Sequence, residues 1–260
     1  MYARTWVRTK SIFGEPLWLL VGIGFPLFTS LGLAFLYKSS GISSLSGFAI
    51  LGGVMVSFWS NVLWSMASQF YWDKQEGIFE VYLISPAPMT AILVGMSLGG
   101  IVGTVPSALL VGVLGWSFFA PHANPNWAAL SATFVLTIIA LYALGMLLAS
   151  LYLVYGREAE SLNQAVGEPV SLLSGLYFPS LGKSSPFPLA LQAVASLIPL
   201  TIGMDALRRS LFFAQDLWAI YPDLAALTAM AVALLVISKK SLDILRERGR
   251  REGSVSVRFT

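Results

Sequence analysis

Charge is scarce in this chain. Asp, Glu, Lys and Arg make up 11% of its 260 residues, while 56% are hydrophobic. Soluble domains carry about 25% charged residues, so the composition is that of a protein solvated largely by lipid. Cysteine is absent, which excludes disulfides and thiolate metal ligands. There is one histidine, His122. A lone imidazole cannot build a histidine metal site, so no metal is expected. Within PHANPNW it reads as a solvated loop residue. Neither G-x-x-x-x-G-K-[ST] nor H-E-x-x-H occurs, so this chain is not expected to bind ATP in a phosphate loop or to be a zinc peptidase. No Asn-x-Ser/Thr acceptor occurs either, which fits a bacterial or archaeal origin.

What is present is long apolar runs. A membrane span needs about 20 mainly apolar residues. Five segments meet that length: 16–37, 47–68, 89–118, 128–155 and 217–238. The first is too long for the apolar core of a signal peptide and lacks a clean cleavage site after it; it reads as a retained span. Residues 162–213 are apolar but interrupted by Glu168, Pro169, Pro179, Pro186, Pro188 and Pro199. They read as a span over 161–178 followed by a re-entrant or surface-lying helical pair over 189–213. Irregular backbone at membrane depth requires cover from protein or a water-lined cavity. The expected fold is all-α and integral to the membrane, with six spans in one transmembrane domain over 1–260.

Lys and Arg placement sets orientation. With six spans both termini share a side. That side collects Arg4, Arg8, Lys10, Lys74, Arg157, Lys239, Lys240, Arg246, Arg248, Arg250, Arg251 and Arg258. The other holds Lys38, Lys183, Arg208 and Arg209. Twelve against four predicts cytosolic termini. The segment ARTWVRTKSIF mixes Trp6, Ile12 and Phe13 with Arg4, Arg8 and Lys10, the pattern of an interfacial amphipathic helix. The basic stretch KKSLDILRERGRREG reads as a topology-setting tail.

Several residues stand out inside this frame. Gly95, Gly99 and Gly103 recur every four residues on the third span. That spacing suits close helix packing, and a substrate path along the same face is the alternative. Pro106 removes a backbone hydrogen bond from this helix. Glu168 in the fifth span reads either as a cavity-facing acid or as an interfacial cap. Asp205 lies three and four residues before Arg208 and Arg209, the spacing of a local ion pair. Phe58, Trp59 and Trp64 suit an amphipathic cargo or ordinary packing. The segment YWDKQEGIFEVYLISPAPMT then breaks the apolar pattern between spans two and three. Read as one short helix, it places Asp73, Glu76 and Glu80 on a shared acidic face. Ile78, Phe79, Tyr82 and Leu83 lie on the other side. An acidic face matches anionic lipid poorly and suits a cytosolic protein partner.

These residues carry a resemblance. The chain resembles the ABC type 2 exporter permeases, membrane subunits of bacterial drug, lipid and polysaccharide exporters. The run Glu76, Gly77, Ile78, Phe79, Glu80, then Pro86, is similar to the family's acidic-Gly-apolar-x-Glu pattern, with Ile78 and Phe79 where Thr-Leu is commoner. SGLYFP at 174–179 resembles the end of its fifth span. PLTIGMDALR at 199–208 resembles its segment before the last span. The resemblance covers essentially the whole chain. It implies a non-enzymatic permease in a prokaryotic plasma (inner) membrane, paired as a homodimer. Two separate ATP-binding subunits would hold ATP and Mg, with no cofactor on this chain. The partners implied are those subunits, the second permease and lipid, not nucleic acid. The segment after span two becomes a coupling helix, with Asp73, Glu76, Gly77, Phe79 and Glu80 as its residues. Phe58, Trp59 and Glu168 become candidates for the substrate cavity, near spans one, two and five. Two other classes stay open: an ATP-independent secondary transporter or channel, for which intramembrane acids beyond Glu168 are scarce, and a lipid-modifying membrane enzyme, which lacks a His/Asp/Glu cluster.

Overall fold

Helices account for all the regular structure among the described residues, which in the computed structural model are 2–85, 87–119, 122–155, 159–182 and 185–252. The side chains of some helical positions, Glu80 and Leu83 among them, lie outside that description. The order is α1 (Tyr2–Gly14), α2 (Pro16–Ser39), α3 (Ser46–Ser60) running on into a π-helical segment (Asn61–Ala67), α4 (Gln69–Gln75), α5 (Ile78–Ile84), α6 (Met89–Phe119), α7 (Trp127–Tyr155), α8 (Ala159–Leu173), α9 (Leu189–Ala195), α10 (Pro199–Phe212) and α11 (Tyr221–Glu252). Five helical stretches are long and apolar enough to cross a membrane, or six if α9 and α10 form one broken span.

Apolar runs of this length fold as helices in lipid because no water is there to satisfy the backbone. Their packing is then decided by fit. α2, α3 and α6 pack together, and α7 packs against the π segment, α10 and α11. The core between them holds Met55, Phe58, Trp59, Met66, Phe79, Met96, Leu141 and Tyr152.

Four expectations change. The span over 161–178 ends early. α8 stops at Leu173, and Gly175 turns the chain at φ +70°. At 1.5 Å per residue its 15 residues reach about 22 Å, short of a hydrocarbon core of about 30 Å. Pro169 sits inside this helix rather than ending it. The last span begins at Tyr221 rather than 217, because turns occupy 217–220, and its helix runs through the basic tail to Glu252. α9 and α10 are helical as expected and bent by 100°.

The third change concerns α1. Thr5, Arg8 and Ile12 meet Gly95, Gly99 and Gly103 in turn, so α1 runs alongside α6 in the same direction. Its arginines face the protein. The outward stripe is Tyr2, Trp6, Lys10 and Phe13. The glycine ladder is thus covered by α1. A Cβ on Gly99 would lie 2.8 Å from Arg8 Cβ and 2.9 Å from the Thr5 carbonyl oxygen. The fourth change, in the segment after the π helix, defines the site.

Candidate functional site

Residues 69–84 form two helices, not one. Gly77 stands between them at φ +74° and ψ 1°, a left-handed conformation that glycine adopts without a side-chain penalty. The result is an elbow. Asp73 and Glu76, read from their spacing as parts of one acidic face, do not share it: Asp73 is buried and Glu76 exposed.

Asp73 turns inward and is 1% exposed. It accepts three hydrogen bonds: from Arg4 Nη2 at 2.7 Å, from Gln69 Nε2 at 2.7 Å and from the Tyr82 hydroxyl at 2.8 Å. The Arg4 guanidinium also lies 5.4 Å from the Tyr82 ring centroid, within range of cation–π attraction. This network joins α1, α4 and α5. Burial pushes the Tyr82 phenol up from its ordinary range, and the Asp73 carboxylate pushes it further. The phenol therefore stays a donor. Beside it, Arg8 donates to the hydroxyl and the carbonyl of Ser65. Burial, then the neighbouring Arg4, lowers the Arg8 pKa.

Phe79 also faces inward. It is 2% exposed and packs edge-on to Tyr82, ring centroids 6.1 Å apart. What the elbow presents outward is Trp72, Gln75, Glu76, Gly77, Ile78, Val81 and Ile84; Ile84 is 81% exposed. A Cβ at Gly77 would meet nothing. Glu80 lies in α5, but its side chain is outside the described residues, as is Pro86 altogether.

The cavity candidates divide. Phe58 and Trp59 are buried core. Phe58 meets Phe134 edge-on at 5.6 Å, and Trp59 Nε1 donates to Ser171 Oγ at 3.0 Å. Neither lines an open cavity within one chain. Glu168 is exposed on α8, on an outward stripe with Ser161, Gln164 and Leu172. Trp64 is exposed as well.

At the opposite end, Arg209 pairs with Asp205 at 3.0 Å, the expected i,i+4 partner, and also with Asp223 of α11. Arg208 does neither. It is buried, donates to the Gly175 carbonyl and lies 4.9 Å from the Phe48 ring centroid. His122 lies exposed in the nearby loop, where Asn124 and Asn126 amides donate to the carbonyls of Leu211 and Ser210. Among the described residues no cluster of metal-ligating side chains is found.

Sequence reasoning missed Arg4, Gln69 and Tyr82 as partners of Asp73, and it missed the π segment. The one available signal for the first was Arg4 and Arg8 four residues apart, which puts both on one face of α1.

A helical bundle of five to six apolar spans, with two short helices joined at Gly77 at one end, defines a multi-pass membrane protein. The ABC-2 type transporter family matches residues 1–212, and the chain belongs to that family. It is 26% identical over 219 residues to the inner membrane transport permease YadH of Escherichia coli K12, covering 78% of this chain and 82% of that one. The YadH permeases of Escherichia coli O157:H7 and Shigella flexneri match equally. The protein is a membrane transport permease subunit, not an enzyme, and its family implies an ATP-binding partner subunit.

Proposed function

We propose that the chain is the membrane half of an ATP-driven exporter, moving an amphipathic drug, lipid or glycan-type substrate out of the cytosol of a prokaryote. Two copies pair, and two ATP-binding subunits dock on their elbows from the cytosolic side. ATP and Mg belong to those subunits. The observation that carries this is the elbow itself. An apolar tip of Ile78, Val81 and Ile84 is exposed beside Glu76 and Gly77, and a buried ionic network braces it from behind. A tip that is apolar, exposed and held rigid suits a groove in a protein partner. Glu76 and Glu80 add charge for basic groups there, and Gly77 allows close backbone approach. Asp73 and Phe79 act from inside, fixing the tip rather than touching the partner.

Glu168 supports the pairing. A carboxylate on an outward polar stripe is costly against lipid, so that face of α8 suits a second copy and a watery path between the two. The charge count supports cytosolic termini. A cysteine at Asn124 should react with an impermeant thiol reagent in intact cells, and one at Gly253 should not; the reverse would overturn the orientation.

Coupling is tested by co-purifying the cognate ATP-binding subunit and assaying transport in vesicles. Truncating an interface anchor commonly costs about 2 kcal/mol or more, a weakening of roughly 30-fold. Val81→Glu and Ile84→Glu should insert normally yet lose the partner to at least this extent. Glu80→Lys should be worse than Glu80→Ala. If the Val81 and Ile84 variants hold the subunit and export at wild-type rates, the elbow is not the docking point.

A further inference from the structure

The helix of the second span changes its winding just before the elbow. α3 is ordinary to Ser60, and Asn61–Ala67 follows the wider π form. The Ser68 amide closes on the Leu63 carbonyl, five residues back, at 3.3 Å. π geometry is rare, mostly limited to single turns, and frequent at functional sites. Seven residues of it are uncommon.

Three neighbouring helices each turn a glycine toward this segment. A Cβ on Gly100 of α6 would collide with the Asn61 side-chain oxygen. One on Gly145 of α7 would lie 2.6 Å from Val62 Cγ1. One on Gly167 of α8 would lie 2.9 Å from Leu63 Cδ1. Leu63 can swing aside; the short side chains of Asn61 and Val62 have less freedom, so Gly100 and Gly145 are the demanding positions. Val62, Leu63 and Met66 also belong to the apolar core, and two polar contacts hold the segment as well. Arg8 of α1 holds the Ser65 carbonyl and hydroxyl, and the Tyr142 hydroxyl donates to Asn61 Oδ1 at 2.9 Å. A wide helical turn thus meets one glycine from each of three helices. A single residue, Ser68, separates it from α4, which carries Asp73.

We propose that Asn61–Ala67 is the moving joint through which the elbow drives the membrane spans, with Gly100, Gly145 and Arg8 as positioning residues. Exchanging i+5 for i+4 hydrogen bonds tightens the winding and rotates α3 above the joint relative to α4 below it. The rotation passes through Trp59 to Ser171, and so to the helix that carries Glu168. This rests on the coupling reading above.

The absence of native cysteine makes the test clean. A Val62→Cys, Gly145→Cys pair places the two Cβ atoms within disulfide reach, about 3.5–4.5 Å, and an Asn61→Cys, Gly100→Cys pair serves if the first fails to fold. With the cognate ATP-binding subunit in vesicles, oxidation should cut ATP-dependent transport at least ten-fold while the subunit stays bound, and reduction should restore it. Oxidised protein transporting within two-fold of reduced protein overturns the joint. If the wild-type pair of subunits shows no ATP-driven transport, the coupling reading fails on its own. The joint is then judged on the chain alone in nanodiscs. Oxidation should slow amide exchange over 61–75 at least ten-fold, and unchanged exchange overturns it.

Discussion

The two ends of the molecule solve the same problem in opposite ways. Each buries a charge. At the elbow a carboxylate, Asp73, is met by a guanidinium and two neutral donors from three helices. At the other end a guanidinium, Arg208, has a carbonyl and an aromatic face and, among the described residues, no carboxylate partner, while Arg209 takes both Asp205 and Asp223. Pairing charge with charge ties segments 69 residues apart and tolerates no loss of a member. A cation at the end of α8 meets a carbonyl there, which the helix dipole favours. The first arrangement makes a brace, the second a clasp.

The comparison breaks most sharply at Asp73. Asp73→Ala strands Arg4 and should cost about 3–5 kcal/mol, the usual penalty for removing one partner of a buried pair. Denaturation of the purified chain would show it, with faster proteolysis within 69–84. A loss under about 1 kcal/mol would mean that the brace carries little, since that is the range of surface pairs. Next comes the α1 contact. Gly99→Ala forces a methyl against the Thr5 carbonyl and should cost about 1–3 kcal/mol, as overpacking does. Loosening of α1, read as labelling of a cysteine at Arg8, should accompany it. Arg208→Met should cost less than Asp73→Ala, about 1–2 kcal/mol, because it strands only a carbonyl and removes the buried charge as well. If Arg208→Met proves the more damaging of the two, the clasp is the stronger device and the comparison inverts. The smallest effect on stability is expected from Glu168→Gln, near zero for an exposed side chain. Transport is where it should register, and unchanged transport across several amphipathic substrates would leave the acid an interfacial cap.

Much of the fold is legible in the sequence because lipid makes apolar length decisive. Spans one, three and four lie within two residues of where hydropathy puts them. The glycine ladder was legible as a packing face, but spacing along α6 cannot say which helix covers it. The elbow was harder. Asp73, Glu76 and Glu80 have true helical spacing, and Phe79 is bulky enough to anchor an interface. The structure answers each differently: Asp73 is drawn inward by Arg4, Gln69 and Tyr82, and Phe79, two residues past the positive-φ Gly77, faces the core. A glycine in a charged segment signals a break but not its direction. The π segment left no trace in residue type; the glycines packed against it, Gly100, Gly145 and Gly167, are far from it in sequence.

The ion pair between Arg4 and Asp73 also sets a rule for transplanting parts. The elbow looks like a detachable module, short, jointed at Gly77 and followed by Pro86 in the sequence. Yet half of its bracing charge is carried at the start of the chain. A graft of residues 69–84 onto another carrier would arrive with a buried acid and no base to meet it. The portable unit is discontinuous: the elbow travels only with the first helix, and substitutions in one have to be compensated in the other.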